Sequence, residues 1–202
     1  MKLSLQKYFS FYKNNIINTL EKIPTKDLEK ITNCLIVKIK NKKNIFTAGN
    51  GGSAAIANHF LCDFNKGIKE SSKYKLKPRV YSLSSNVELI TAISNDLNYD
   101  KIFSYQLDNL ANKGDVLVIF SCSGVSKNIL NLLNFAKSKK ILTIGFLGFA
   151  PKFIEKKFDY FINLGIKNYG INEDAFQIFM HIVSQYIRQK SIRNFNPKKN
   201  IL

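Results

Sequence analysis

Cysteine is scarce in this 202-residue chain, and the three present, Cys34, Cys62 and Cys122, are scattered without a CxxC pair. That pattern argues against a disulfide framework and against a structural zinc knuckle. Long hydrophobic runs are missing too. The longest, around Ile141 to Ala150, is interrupted by Thr143, Gly145 and Gly148, and falls short of the roughly 20 apolar residues that span a bilayer. The opening residues break their apolar pattern with Gln6, Lys7, Lys13 and Asn14. The continuous apolar centre of a secretion signal is therefore lacking, and cytoplasmic residence is expected. Acidic residues are few, 14 against 31 Lys and Arg, for a formal net charge of +17. Such a balance suits a nucleic-acid partner, but the lysines are spread over helix faces, turns and the tail rather than gathered in one stripe among aromatics. The distribution favours a solvated basic surface, compatible with acidic small-molecule substrates. With 45% hydrophobic and 12% aromatic residues, the chain is expected to form one domain over 1–190, leading helices included, followed by a basic, fraying tail at 191–202.

Apolar spacing predicts helices over Leu3–Leu20 and Leu28–Ile39, with Pro24 and Thr25 as stop and restart. Strand-like and helix-like segments then alternate. Strands are expected at Asn44–Ala48, Arg79–Leu83, Val116–Phe120, Ile141–Phe146 and Phe158–Leu164, with helices at Ser53 to about Phe64, Val87–Ser94, Lys101–Leu110, Asn128–Lys139 and about Asn172 to Gln189. The run Val116-Leu117-Val118-Ile119-Phe120 reads as a buried central strand. Five strands alternating with helices imply an α/β fold with a doubly wound parallel sheet. In such sheets ligands bind beyond the C-terminal strand ends, so the loops at 49–53 and 121–126 should share one edge and one ligand.

The segment Gly49-Asn50-Gly51-Gly52-Ser53 is the most informative stretch. It joins a loop able to cradle an anion to a helix carrying His59 and Asp63, four residues apart and so on one face. A dinucleotide site is disfavoured. It needs a third glycine three positions after the second and an acidic residue near the end of the second strand, where this chain has Ser53, Ala54 and Tyr81-Ser82-Leu83-Ser84-Ser85. Ser121-Cys122-Ser123-Gly124-Val125-Ser126 supplies a second set of hydroxyls and amides suited to phosphate oxygens. Cys122 falls where loop amides could lower a thiol pKa, although an inert thiol is the expectation. The chain has two histidines, His59 and His181.

Together, Gly49-Asn50-Gly51-Gly52-Ser53-Ala54-Ala55 with His59, Ala92-Ile93-Ser94-Asn95-Asp96, and Ser121 to Ser126 resemble the sugar isomerase (SIS) domain family, and within it the phosphoheptose isomerases. The likeness runs from the leading helices to the last. It implies conversion of sedoheptulose 7-phosphate to D-glycero-D-manno-heptose 7-phosphate for heptose and surface-polysaccharide synthesis, through an enediol. It also implies a homotetramer with active sites at subunit interfaces and no organic cofactor. Carried over by position, it puts Asn50, Gly51, Gly52 and Ser53 along the sugar, Asn95 and Asp96 on its hydroxyls, and Ser121, Cys122, Ser123 and Ser126 at the phosphate. Asp63, Glu173 and His181 become the catalytic groups, with Asp63 and Glu173 also on the substrate. One zinc per subunit would be held by His59, Asp63, Glu173 and His181; Glu173 and His181, eight apart, can project to one side of their helix. Asp63 stands where the family has Glu, Glu173 where it has Gln and Cys122 where it has Thr, while its helix-end Arg is unmatched unless Lys66 or Lys69 replaces it. These departures leave two other readings: a non-catalytic SIS scaffold for a partner such as a replication initiator, or an isomerase of another sugar phosphate.

Overall fold

The computed structural model describes residues 2–192 and 195–196. Helices α1 (Leu5–Glu21) and α2 (Thr25–Lys40) precede strand β1 (Asn44–Ala48). Helix α3 (Gly52–Cys62) runs on as a π-helical turn (Asp63–Ile68) into the short α4 (Lys69–Ser71), and β2 (Arg79–Ser82) follows. Next come α5 (Val87–Asp96), a 3-10 turn (Tyr99–Lys101), α6 (Ser104–Leu110), β3 (Val116–Ser121) and α7 (Lys127–Ser138). The chain then forms β4 (Leu142–Leu147), α8 (Lys152–Glu155), β5 (Tyr160–Asn163) and the long α9 (Tyr169–Ser191).

The five strands form one parallel sheet in the order β2-β1-β3-β4-β5. The doubly wound expectation holds. Every residue of β3 is buried, and its side chains alternate between two cores, as the two-residue strand period requires. Val116, Val118 and Phe120 join the cluster under α2, α3 and α9; Leu117 and Ile119 join the one under α5, α6 and α7. Asp115, 2% exposed, accepts from Asn44 N at 3.0 Å and Asn112 N at 2.9 Å. It thereby pins the starts of β1 and β3 together.

Aromatic rings hold the first core. Phe120 of β3 lies 6.2 Å from Phe60 of α3, 5.1 Å from Phe146 of β4 and 6.2 Å from Phe176 of α9, measured between ring centroids. Phe60 stacks on Phe64 at 3.9 Å. That burial explains a difference from the sequence reading, in which the helix ends at about Phe64. Phe64 and Ile68 are fully buried, so the chain stays helical past Asp63, and the wider π turn lets both side chains reach the core. The helix expected over Lys101–Leu110 is split, with the 3-10 turn before it. Ser191 ends α9; of the expected tail, residues 193–194 and 197–202 lie outside the described residues. No helix among the described residues is long and apolar enough to cross a membrane.

Phe120 touches α3, β4 and α9 at once, so Phe120→Ala should remove about 3–5 kcal/mol of stability in urea unfolding. A loss below about 1 kcal/mol, typical of a surface change, would contradict this packing.

Candidate functional site

The strand order changes direction between β1 and β3, which opens a crevice beyond their C-terminal ends. There, the loop before α3 and the loop before α7 face each other across a cavity of about 300 Å³, lined by Asn50, Gly51, Gly52, Ser53, Phe120, Ser121, Cys122, Ser123, Ser126, Tyr169 and Glu173. Gly51 has φ +56°, a left-handed backbone that glycine adopts without a Cβ clash. A Cβ on Gly52 would collide with the Glu173 carboxylate, so the missing side chain makes room for that acid. Ser84 secures the loop's start: its hydroxyl accepts from Gly49 N at 3.1 Å and donates to Gly49 O at 2.9 Å.

Two helix N-termini open onto this space. Neither Gly51 at α3 nor Ser126 at α7 caps its helix through a side chain. The Ser126 hydroxyl, which an ordinary cap would have used, is left for a ligand, and the first-turn amides and dipoles of both helices favour an anion. Ser121 and Ser123 also brace the loop, their hydroxyls accepting from Gly124 N at 3.1 Å and Val125 N at 3.4 Å. No Lys or Arg is among the lining residues. Lys69 lies 5.4 Å from the Tyr74 ring, and neither it nor Lys66 is among the lining residues.

Beside the cavity, α3 and α9 bring together a second group. His59, Asp63 and His181 offer ligand atoms within 4.8 Å of one another. Asp63 Oδ1 is 3.5 Å from His59 Nε2, and Asp63 Oδ2 accepts from Ser184 Oγ at 2.9 Å. Gln177 Nε2 lies between the imidazoles, 2.7 Å from His59 Nδ1 and 3.1 Å from His181 Nε2. Two imidazoles and a carboxylate fit the donor set of a catalytic zinc with an open position. Glu173, expected as a fourth ligand, is not in that group: its carboxylate fills the space over Gly52, and Gln177, one turn nearer His181, occupies the gap between the rings.

Asn95 and Asp96 are exposed at the end of α5, where Asn95 Nδ2 donates to Asp96 Oδ1 at 2.9 Å. Neither lines the cavity. The sequence reading missed Gln177, Tyr169 and Phe120. For the first two a signal existed, since Tyr169, Glu173, Gln177 and His181 recur every four residues and share one face of α9.

A SIS domain matches residues 8–148 of the chain. A phosphoheptose isomerase of Aliarcobacter butzleri is 35% identical over 151 residues, 73% of this chain and 76% of that protein. One from Helicobacter pylori is 35% identical over 147 residues, 71% of this chain and 73% of the other. The solved phosphoheptose isomerase of Neisseria gonorrhoeae superposes with a TM-score of 0.82 at 25% identity, covering 91% of this chain and 98% of that one. The chain belongs to the phosphoheptose isomerase family of SIS-domain proteins.

Cys122 is buried in the cavity wall, and its thiol pKa is pushed up to about 11, first by burial and then by the Glu173 charge. The expected inert thiol follows, since the thiolate is the reactive form. Iodoacetamide at pH 8 should modify exposed Cys62 and spare Cys122 until the protein unfolds, as read by peptide mass spectrometry. Stoichiometric labelling of Cys122 in folded protein would refute the shift. Because the folded thiol holds its proton more tightly than the unfolded one, its contribution to stability is complete below pH 9.0 and is lost as pH rises toward about 11.

Proposed function

We propose that this protein interconverts sedoheptulose 7-phosphate and D-glycero-D-manno-heptose 7-phosphate through an enediol, supplying heptose for capsule or lipopolysaccharide in the cytoplasm. The observation that carries the reading is one cavity with two uncapped helix N-termini for a phosphate, an acid in its wall, and beside it a pair of imidazoles, His59 from α3 and His181 from α9.

In this reading Asn50, Gly51, Gly52 and Ser53 lie along the sugar, while Ser121, Cys122, Ser123 and Ser126 surround the phosphate. Asn95 and Asp96 are assigned to the hydroxyls by the family pattern alone. Glu173 is the favoured base, because it lines the cavity and Asp63 is held by Ser184. It removes a proton from C1 of the ketose; the C–H electron pair forms the C1–C2 double bond, and the carbonyl oxygen takes a proton from His181. Loss of the O1 proton and return of a proton to C2 complete the aldose. A divalent ion such as zinc, held by His59, Asp63 and His181, would polarise the carbonyl and stabilise the developing oxyanion.

A homotetramer with sites at its interfaces is part of the same proposal. It is supported by the apolar face of α1, where Leu5 is 83% and Phe9 66% exposed. A light-scattering mass equal to one 23.1 kDa chain would overturn it.

The deciding experiment is NMR of the protein with sedoheptulose 7-phosphate in deuterated water, with zinc and then with chelator. An aldose heptose 7-phosphate deuterated at C2 is expected, and chelation should abolish it. Binding without turnover under both conditions would reject the isomerase. His181→Ala should keep the fold and lower kcat by about 10²–10⁴-fold, the range of a lost acid–base group; unchanged turnover would remove His181 from the mechanism.

A further inference from the structure

Asn50 of the first cavity loop and Asn128 of the helix that follows the second face each other amide to amide. Asn50 Nδ2 donates to Asn128 Oδ1 at 3.0 Å, and Asn128 Nδ2 donates back to Asn50 Oδ1 at 2.9 Å. The Tyr99 hydroxyl donates to the same Asn50 oxygen at 3.1 Å. Asn128 sits in the first turn of α7, is 1% exposed and does not line the cavity. A polar side chain so deeply buried is retained at a cost unless its bonds are made. Here both of its recorded partners are the two ends of one other amide.

We propose that Asn128 is a positioning residue for the reaction, supported by Tyr99: the two hold the Asn50 amide at a fixed place in the cavity wall, so that Asn50 meets the sugar phosphate through its one remaining hydrogen-bonding position. The proposal rests on the isomerase reading, in which Asn50 contacts the sugar.

The donor inventory leads to this result. An amide oxygen accepts through two lone pairs, and an amide nitrogen carries two protons. Both lone pairs of Asn50 Oδ1 are taken, by Asn128 and by Tyr99, and one Nδ2 proton is taken by Asn128. One N–H is left. A 180° turn of Asn50 alone would set donor against donor and acceptor against acceptor. The free N–H can serve a carbonyl or hydroxyl oxygen of a sugar; a joint turn of both amides, with the Tyr99 hydroxyl then accepting, keeps the three bonds and offers a lone pair to a sugar hydroxyl instead. Tyr99 adds a linkage. It lies in the 3-10 turn just after Asn95 and Asp96, so the segment assigned to the sugar hydroxyls is tied to the loop that Asn128 holds.

The test is a double-mutant cycle. Asn128→Ala and Tyr99→Phe are made alone and in an Asn50→Ala background, and KM, kcat and melting temperature are measured with sedoheptulose 7-phosphate. Asn128→Ala should raise KM about tenfold, the worth of one hydrogen bond, with kcat held within about threefold. Tyr99→Phe should raise KM by about threefold, since Asn50 keeps both bonds to Asn128. In the Asn50→Ala background neither change should move KM further, because the residue through which they act is gone. A purely structural Asn128 would lower the melting temperature and leave KM of the folded protein unchanged. That result, or an equal rise in KM with and without Asn50, overturns the proposal. If wild-type protein does not turn over sedoheptulose 7-phosphate at all, the isomerase reading fails, and the clamp is judged in ligand-free protein. Melting losses of Asn50→Ala and Asn128→Ala that are less than additive uphold it there, and additive losses overturn it.

Discussion

The packing of α3 against α9 over Phe120 governs everything else at this site. Phe60 and Phe176, one from each helix, lie at equal distance from the Phe120 ring. Each fully buried ring contributes on the order of 1.5–3 kcal/mol by leaving water, and the ring pairs add to that. The chemical groups sit beside these anchors: His59 precedes Phe60, Asp63 precedes Phe64, and Gln177 follows Phe176. The rings that close the core therefore also set the separation of the polar side chains. His59 and Asp63 meet Gln177 and His181 because neither helix can slide without breaking that aromatic contact.

Charge is arranged differently from what the composition suggests. In a chain of formal net charge +17, the cavity proposed for a phosphate has no lysine or arginine in its lining. Two helix N-termini and serine hydroxyls face it instead. Such donors are short, fixed and directional, whereas a lysine brings a mobile point charge. The excess lysines lie outside the cavity lining, where Glu173 is the one charged side chain.

Much of the fold was legible in the sequence, and for identifiable reasons. β1, β3 and the glycine loop are short-range features: an unbroken apolar run, and glycines directly before a helix. The strand order then follows from few alternatives, and the loops at 49–53 and 121–126 do share one cavity. What escaped were contacts that depend on how two elements face each other. Gln177 is a plain polar residue on an amphipathic helix until α3 places His59 opposite it. Asn128 is an ordinary first-turn residue until Asn50 reaches across from β1. The π turn after Asp63 was invisible for a related reason, since its polar composition, Asp63-Phe64-Asn65-Lys66-Gly67-Ile68, reads as a loop unless one knows that Phe64 and Ile68 find a core.

The two carboxylates divide their duties in a way that gives the departures at positions 63 and 173 a common physical sense. Asp63 is short and close to the helix, bonded by Ser184 and set beside His59, which suits a group that holds its neighbours in place. Glu173 is longer and faces the cavity over a glycine that leaves it room. A longer carboxylate with space around it can follow a proton from carbon as the substrate rehybridises, and a shorter, bonded one cannot. In the proposed reaction, losing a methylene at position 63 would cost proton-abstraction reach on α3, and an acid at position 173 would restore it from α9, two turns before His181. The neutral amide that the family carries on that helix has a counterpart in Gln177, now between the imidazoles. Read as a set, the changes move the same functional groups along the α3–α9 seam and leave the seam intact.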